Sequence, residues 1–260
     1  MNTSRSFDRA ANIYDQTRLL LEPITKYGIP AILDIIGPKA RVLEAGAGTG
    51  RMSIPLLERG VDLIGCDLSS PMLTRFQEKF PAARIAQADA SLLPFPTAHF
   101  DLVLTAHVMH LIPAWRETIR EFRRVLVPQG AYLNVSTWAS VGVSVGDKIR
   151  EFWRSWLAAN GVDARHPGVR DHTVLQQELL SLGATLTEVE VVRFPDPFHL
   201  REELDRFASR VYSYTWDIPD AIFDASIKEL RAWTIHEYGD LDQEIVDEVR
   251  FVINLARFGN

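Results

Sequence analysis

The chain has almost no cysteine, no long apolar run and no excess of positive charge. Its one cysteine, Cys66, cannot close an intrachain disulfide, and its apolar neighbours Leu63, Ile64 and Leu68 place it at the end of a buried strand. A reducing cytoplasm is the expected compartment. No window of the 260 residues reaches the length of a membrane span, and the opening Met-Asn-Thr-Ser-Arg-Ser-Phe-Asp-Arg lacks a signal-peptide apolar core, so no stable membrane insertion is expected. A net charge of −6 leaves no basic footprint, which argues against a nucleic-acid partner. The local cluster Arg120, Arg123 and Arg124 falls on one amphipathic helix and reads as a solvated face. No repeat and no low-complexity segment occurs.

What is present is an ordinary globular composition, 47% hydrophobic and 24% charged, enough to bury a real core. At 260 residues a single domain spanning 1–260 is expected rather than two small ones. Its parts are an N-terminal helical segment (1–38), a ligand-binding core (39–138), and a remainder (139–260) holding a helical cap mainly at 198–240.

Apolar spacing predicts helix across 5–36, ended by Gly37-Pro38. Short apolar strands follow at 41–44, 61–66, 84–88, 100–105 and 131–137, with helices at 51–59, 71–79 and 115–127 between them. Strands alternating with helices at this pace give an α/β, doubly wound, mostly parallel sheet with right-handed crossovers. Beyond residue 138 the pattern loosens into helices at 147–160, 173–182, 199–214 and 220–238, and strands at 186–194 and 249–258.

The first strand exits through Val42-Leu43-Glu44-Ala45-Gly46-Ala47-Gly48-Thr49-Gly50. Gly46 and Gly48 permit a tight turn and close approach of a ligand, and the following helix aims backbone N–H groups over the strand ends. Ligands of open parallel sheets bind at those ends, where Glu44, Asp67, Asp89 and Thr105 stand. Asp67, about twenty residues after the first glycine, suits the two ribose hydroxyls of an adenosine, whether in NAD or in S-adenosylmethionine. Two details favour the latter. A dinucleotide fingerprint needs a glycine at 51, where this chain has Arg51. Glu44 at the turn would repel a pyrophosphate and suits an ammonium and a sulfonium.

With these residues in register, the chain resembles the class I S-adenosylmethionine-dependent methyltransferases, within the group of the ubiquinone/menaquinone-biosynthesis type enzymes. The likeness runs over about residues 7–137. Besides the glycine turn it rests on Gly65-Cys66-Asp67-Leu68-Ser69-Ser70-Pro71-Met72-Leu73, Ala88-Asp89-Ala90 running through Leu93-Pro94-Phe95 to Phe100-Asp101, Met109-His110-Leu111-Ile112-Pro113, and Arg124-Val125-Leu126-Val127-Pro128-Gln129-Gly130. Such a resemblance implies a Rossmann-like seven-stranded sheet with an antiparallel last strand, N-terminal helices and a helical cap before that strand. It implies Glu44, Gly46 and Gly48 as the seat of the methionine moiety and Asp67 at the ribose. Leu68 and Met72 would flank the adenine, with Asp89 and Ala90 at its polar edge and Thr105 under the sulfonium. Tyr14 and Arg18 would close over the cofactor carboxylate. Departures from the family pattern are Glu44 for the frequent Asp, Ala47 for Cys, and Gln129 for Gly.

Methyl transfer needs alignment first and a base only where the nucleophile must lose a proton. His107 and His110 follow the fourth strand and are candidates for that base or for a substrate contact. His166, His172 and His199 lack ligand spacing, so no metal is expected. The acceptor pocket is expected from Tyr14, His107, Trp138, residues 142–146 and the aromatic insert holding Phe207, Tyr212, Tyr214, Trp216, Phe223 and Trp233, with Tyr212 and Trp216 sharing a helical face. A small-molecule acceptor methylated on O, N or a ring carbon is the leading expectation. A catalytically inactive S-adenosylmethionine-binding partner and an NAD(P)-dependent oxidoreductase are the alternatives.

Overall fold

A computed structural model describes residues 7–18, 20–139 and 144–259, with the side chains of Trp138 and Ala139 outside that set. The expected pocket roles of Trp138 and of residues 142–143 therefore lie outside the described residues. The chain divides into two compact units, one of residues 1–136, 167–192 and 251–260, the other of 137–166 and 193–250.

Apolar side chains set the middle of the sheet. Its centre is β1 (Arg41–Ala45) beside β4 (Phe100–Ala106), where Val42, Leu43, Val103 and Leu104 are fully buried. The remaining strands are β2 (Asp62–Asp67), β3 (Arg84–Gln87), β5 (Leu126–Ala139), β6 (Ala184–His199) and β7 (Glu244–Phe258). Their order is β3-β2-β1-β4-β5-β7-β6. The β1–β2, β1–β4, β2–β3 and β4–β5 pairs are parallel, and the last strands are antiparallel. Between Phe100↔Leu126 and Leu102↔Ala131 the register shifts, so residues 127–130 loop out. Gln129, at φ 66, takes a left-handed conformation uncommon outside glycine.

Helices α3 (Ser53–Leu57), α4 (Ser70–Lys79) and α5 (Trp115–Val125) make the crossovers. The α4 start is fixed locally: Ser69 Oγ accepts the Met72 N–H at 3.3 Å, and Pro71 occupies the first turn. Along α5, Ile119, Phe122 and Val125 recur every three or four residues and are fully buried in the core that holds Leu43, Val103 and Tyr132.

The helical region expected over 5–36 is made of short separate pieces. The structure has a 3-10 turn at Asp8–Ala10, a short α1 (Tyr14–Thr17), a π-type turn at Ile24–Gly28 and α2 (Ile29–Ile36). Pro30 has no N–H to offer the Lys26 carbonyl, and the Ile29 N–H instead bonds Ile24 O, five residues back. The arginine cluster on α5 is also more than a solvated face. Arg124 donates to Phe95 O at 2.8 Å and Leu93 O at 3.0 Å while Glu121 accepts the Leu93 N–H at 2.9 Å, so the pair clamps the turn at residues 92–96. Arg124→Ala should cost about 1–2 kcal/mol, read as a lower denaturant midpoint at unchanged m value. Arg120 reaches Glu178 at 3.3 Å on α7 (His172–Ser181), a helix that Asp171 caps through the Thr173 N–H.

The second unit has an aromatic core. On α6 (Val145–Ala159), fully buried Trp153 meets Phe207 of α8 (Leu200–Ala208) at 5.4 Å and donates to Ser226 Oγ on α9 (Asp220–Tyr238) at 2.9 Å. The helix expected over 199–214 stops at Ala208. Arg210, at φ 53, donates to Thr215 O, Ile218 O and Asp220 and lies 3.9 Å over the Phe223 ring, which holds the chain in a loop. Tyr212 and Trp216 therefore do not share a helical face. Tyr212 stacks on Tyr214 at 5.4 Å and donates to Glu203, while Trp216 Nε1 donates to Arg210 O. Phe207, Tyr214 and Phe223 are buried in the same core cluster as Trp153, whose ring meets those of Phe207 and Tyr214. Among the described residues no helix is long and apolar enough to cross a membrane.

Candidate active site

The glycine turn leaves β1 pinned to its neighbour, with Gly46 N–H and Ala47 N–H both donating to Cys66 O on β2, at 2.8 and 2.9 Å. Gly46 sits at φ 77, and a Cβ there would come within 2.5 Å of the Val108 side chain, so only glycine fits. Asp67, at the end of β2, is the hub. One carboxylate oxygen accepts the Gly48 N–H at 2.9 Å and the other the Ser69 N–H at 2.8 Å, while its carbonyl accepts the Ala88 N–H at 2.9 Å. Each oxygen has a second lone pair for a ligand donor. Burial pushes the Asp67 carboxyl up, and the N–H groups of Ser69, Gly48 and Leu68 hold it down.

Around this hub lies a pocket of about 700 Å³, its open mouth included, within the first unit. Eight of the expected cofactor residues line it: Tyr14, Gly46, Gly48, Asp67, Leu68, Met72, Asp89 and Ala90. Phe7, Val108, Leu111 and Ile112 complete its apolar wall. Asp89 Oδ1 accepts the Ser91 N–H and hydroxyl, which orients the carboxylate at the end of β3. None of the lining residues is a lysine or arginine and two are carboxylates, an arrangement that repels phosphate and accepts hydroxyls and amines.

Three expected residues stand elsewhere. Glu44 is buried behind the turn, where the Ser53 hydroxyl donates to it. Burial pushes its carboxyl up to about 8 against the lowering pull of Ser53 and Arg51. Arg18 is not part of the lining; its guanidinium donates to Thr17 O, and its charge reaches His107. Thr105 faces away from the pocket, because side chains alternate along a strand and the next residue, Ala106, takes the pocket side. Its hydroxyl bonds Tyr132 and Asn134 instead.

His107 does line the pocket, at φ 54, a left-handed conformation uncommon outside glycine. Burial, with the charges of Arg51, His110 and Arg18, lowers it to about 3, so the ring is neutral at physiological pH. His110 is lowered by burial to about 4 and does not line the pocket. In the unliganded protein both rings are neutral and only weakly basic. The loop carrying both is buttressed from residues 168 and 169: Gly168 N–H donates to His110 O at 2.8 Å and Val169 N–H to Met109 O at 3.0 Å. Residues 168 and 169 thus have a site-supporting role that no local signal announced. Cys66 lines the pocket, but burial raises its thiol to about 12, so it is no nucleophile.

The N-terminal segment is tied to the site by side chains that spacing alone did not single out. Asp15 accepts from Thr49 Oγ1 of the glycine turn at 2.5 Å and pairs with Lys79 at 2.8 Å. Asp8 accepts from Ser69 Oγ at 2.6 Å, and Asn12 from Arg75 at 2.6 Å. Ser69 therefore caps α4 and holds the segment at once. Among the described residues no group of three His, Cys, Asp or Glu side chains could hold a metal.

The family model described as a methyltransferase domain matches residues 43–134, the stretch from β1 through most of β5. A demethylmenaquinone methyltransferase of Beutenbergia cavernae is 31% identical over 153 residues, 56% of this chain and 64% of that one. The chain thus spans under two thirds of that relative's length. Among solved structures, the YcgJ protein of Bacillus subtilis superposes with a TM-score of 0.61 at 19% identity, covering 89% of this chain and 98% of that one. A Haemonchus contortus phosphoethanolamine N-methyltransferase 2, in complex with phosphomonomethylethanolamine and S-adenosylhomocysteine, superposes with a TM-score of 0.54 at 17% identity, covering 97% and 58%. By motif, family model and fold, residues 43–134 are a methyltransferase domain of the class I, S-adenosylmethionine-dependent type.

Proposed function

We propose that the protein is an S-adenosylmethionine-dependent methyltransferase that works in the cytoplasm on a small-molecule acceptor, at oxygen, nitrogen or a ring carbon. The observation that carries this reading is Asp67, held by the Gly48 and Ser69 N–H groups at the floor of a pocket without a lysine or arginine. Such a pocket takes a ribose diol and rejects a pyrophosphate. Leu68 and Met72 supply apolar faces for a flat purine and Asp89 an acceptor for its amino group. Glu44, behind the turn, supplies the negative potential that an ammonium and a sulfonium require. The cofactor brings a methyl group already activated by positive charge, so this chain's task is alignment, an effect worth about 7–11 kcal/mol in ideal cases.

Calorimetric titration with S-adenosylmethionine, S-adenosylhomocysteine and NADH tests the reading. Binding of the first two without NADH is expected, and binding of NADH alone overturns it. Formation of S-adenosylhomocysteine from S-adenosylmethionine on incubation with phenols, amines and quinols then separates an active enzyme from a cofactor-binding regulator.

His107 acts as a neutral hydrogen-bonding wall toward the acceptor rather than as a base. His107→Ala should raise the acceptor KM several-fold, His107→Gln should restore most of it, and kcat should show no inflection from this group between pH 5 and 8. An inflection near pH 6.5 that disappears in both variants would reinstate a catalytic base.

A further inference from the structure

The first unit holds a second cavity, of about 570 Å³ with its mouth included, between α7, β5, β6 and β7. It shares no residue with the glycine-turn pocket. Its sides are apolar, formed by Leu175 and Leu179 of α7 and Leu186 of β6. The back wall is not.

There a hydrogen-bond relay fixes the orientation of an amide. Thr105 Oγ1 donates its single proton to Asn134 Oδ1 at 3.0 Å, so the Tyr132 hydroxyl, 2.8 Å from Thr105 Oγ1, must be the donor in that bond. Burial raises the Tyr132 phenol, which keeps that proton in place. Asn134 lines the cavity, and with its Oδ1 accepting from Thr105 its Nδ2 is the donor left for a ligand. Asn134 is 8% exposed. Across the wall on β7, Asn254 Nδ2 is buried with no hydrogen-bond partner among the described residues. Both asparagines thus line one largely apolar cavity, and a buried donor left unmade costs about 1–3 kcal/mol.

The charges narrow the occupant. The lining contains Glu188 and no lysine or arginine, and burial lowers His172, the other titratable lining side chain besides Tyr132, below its usual range. An anion finds no countercharge there. A hydrocarbon would fill the sides and leave both amides unpaired.

We propose that this cavity is a second small-molecule site, for an uncharged apolar molecule that presents a carbonyl oxygen to Asn134 Nδ2 and Asn254 Nδ2. The test uses the full chain, labelled with nitrogen-15, and three probes of one shape: acetophenone, ethylbenzene and benzoate. Acetophenone should bind at least tenfold more tightly than the other two and should move the side-chain amide signals of Asn134 and Asn254. Asn254→Leu should lose that preference while still binding S-adenosylhomocysteine as the parent does, which shows the fold intact. Equal affinity for acetophenone and ethylbenzene, a preference for benzoate, or a cavity that answers none of the probes and holds only water overturns the proposal.

Discussion

Asp67→Ala should weaken S-adenosylmethionine binding by at least about a hundredfold. Two charge-assisted hydrogen bonds to a ribose are worth about 1.5–3 kcal/mol each, and each 1.4 kcal/mol is tenfold in affinity. The substitution also frees the Gly48 and Ser69 N–H groups, so the glycine turn and the start of α4 lose their common anchor. Asp67→Asn is not a mild replacement. Its NH₂ must face one of two backbone N–H donors, so one of those bonds is lost and becomes a repulsive contact. Calorimetry with S-adenosylhomocysteine measures the effect, and affinity within threefold of the parent in both variants would remove Asp67 from the binding site.

Cofactor binding should also release a proton, with Glu44 as its source. In the unliganded protein burial pushes this carboxyl up to about 8, so it is mostly protonated at pH 7. An ammonium and a sulfonium brought near it favour the carboxylate. Affinity should therefore rise about tenfold per pH unit between pH 5.5 and 7, approaching one proton released, as the linkage relation requires. His107 and His110, lowered to about 3 and 4, stay neutral throughout that window and do not blur it. Titrations in buffers of different ionisation enthalpy count the proton directly. Glu44→Gln should flatten the dependence and bind less tightly above pH 7. The stability of the unliganded protein carries the opposite sign. A carboxyl raised in the folded state stabilises fully below its ordinary range near 4.5, and that contribution is lost as pH rises through about 8. The unliganded parent should thus melt lower at pH 8.5 than at pH 6, a difference that Glu44→Gln reduces.

Much of the first unit was legible in the sequence because its signals are local. The apolar run of β4, Ser69 with Pro71 at the head of α4, and the spacing from Gly46 to Asp67 each mark an element without reference to any other part of the chain. The second unit was less legible. The loop after Ala208 is set by Arg210 reaching backbone carbonyls up to eight residues on, and no helical periodicity reports such a contact. The breaks within the N-terminal helical region were not legible from apolar spacing, which continues past Pro23 and Pro30, where the proline N–H is missing and new pieces begin.

By itself the sequence determined the α/β alternation, the glycine turn and the carboxylates at the strand ends, since backbone freedom and strand-end position are properties of single residues and short spacings. Only the tertiary structure decided which of those residues face the pocket. It turned Thr105 toward Tyr132 and Asn134, set Glu44 behind the turn beside Ser53, and brought Asp8 and Asp15 onto Ser69 and Thr49. It also made His107 and His110 only weakly basic by burying them. Direction along a strand, burial and contacts between residues more than thirty positions apart arise from packing, and no stretch of the chain encodes them alone.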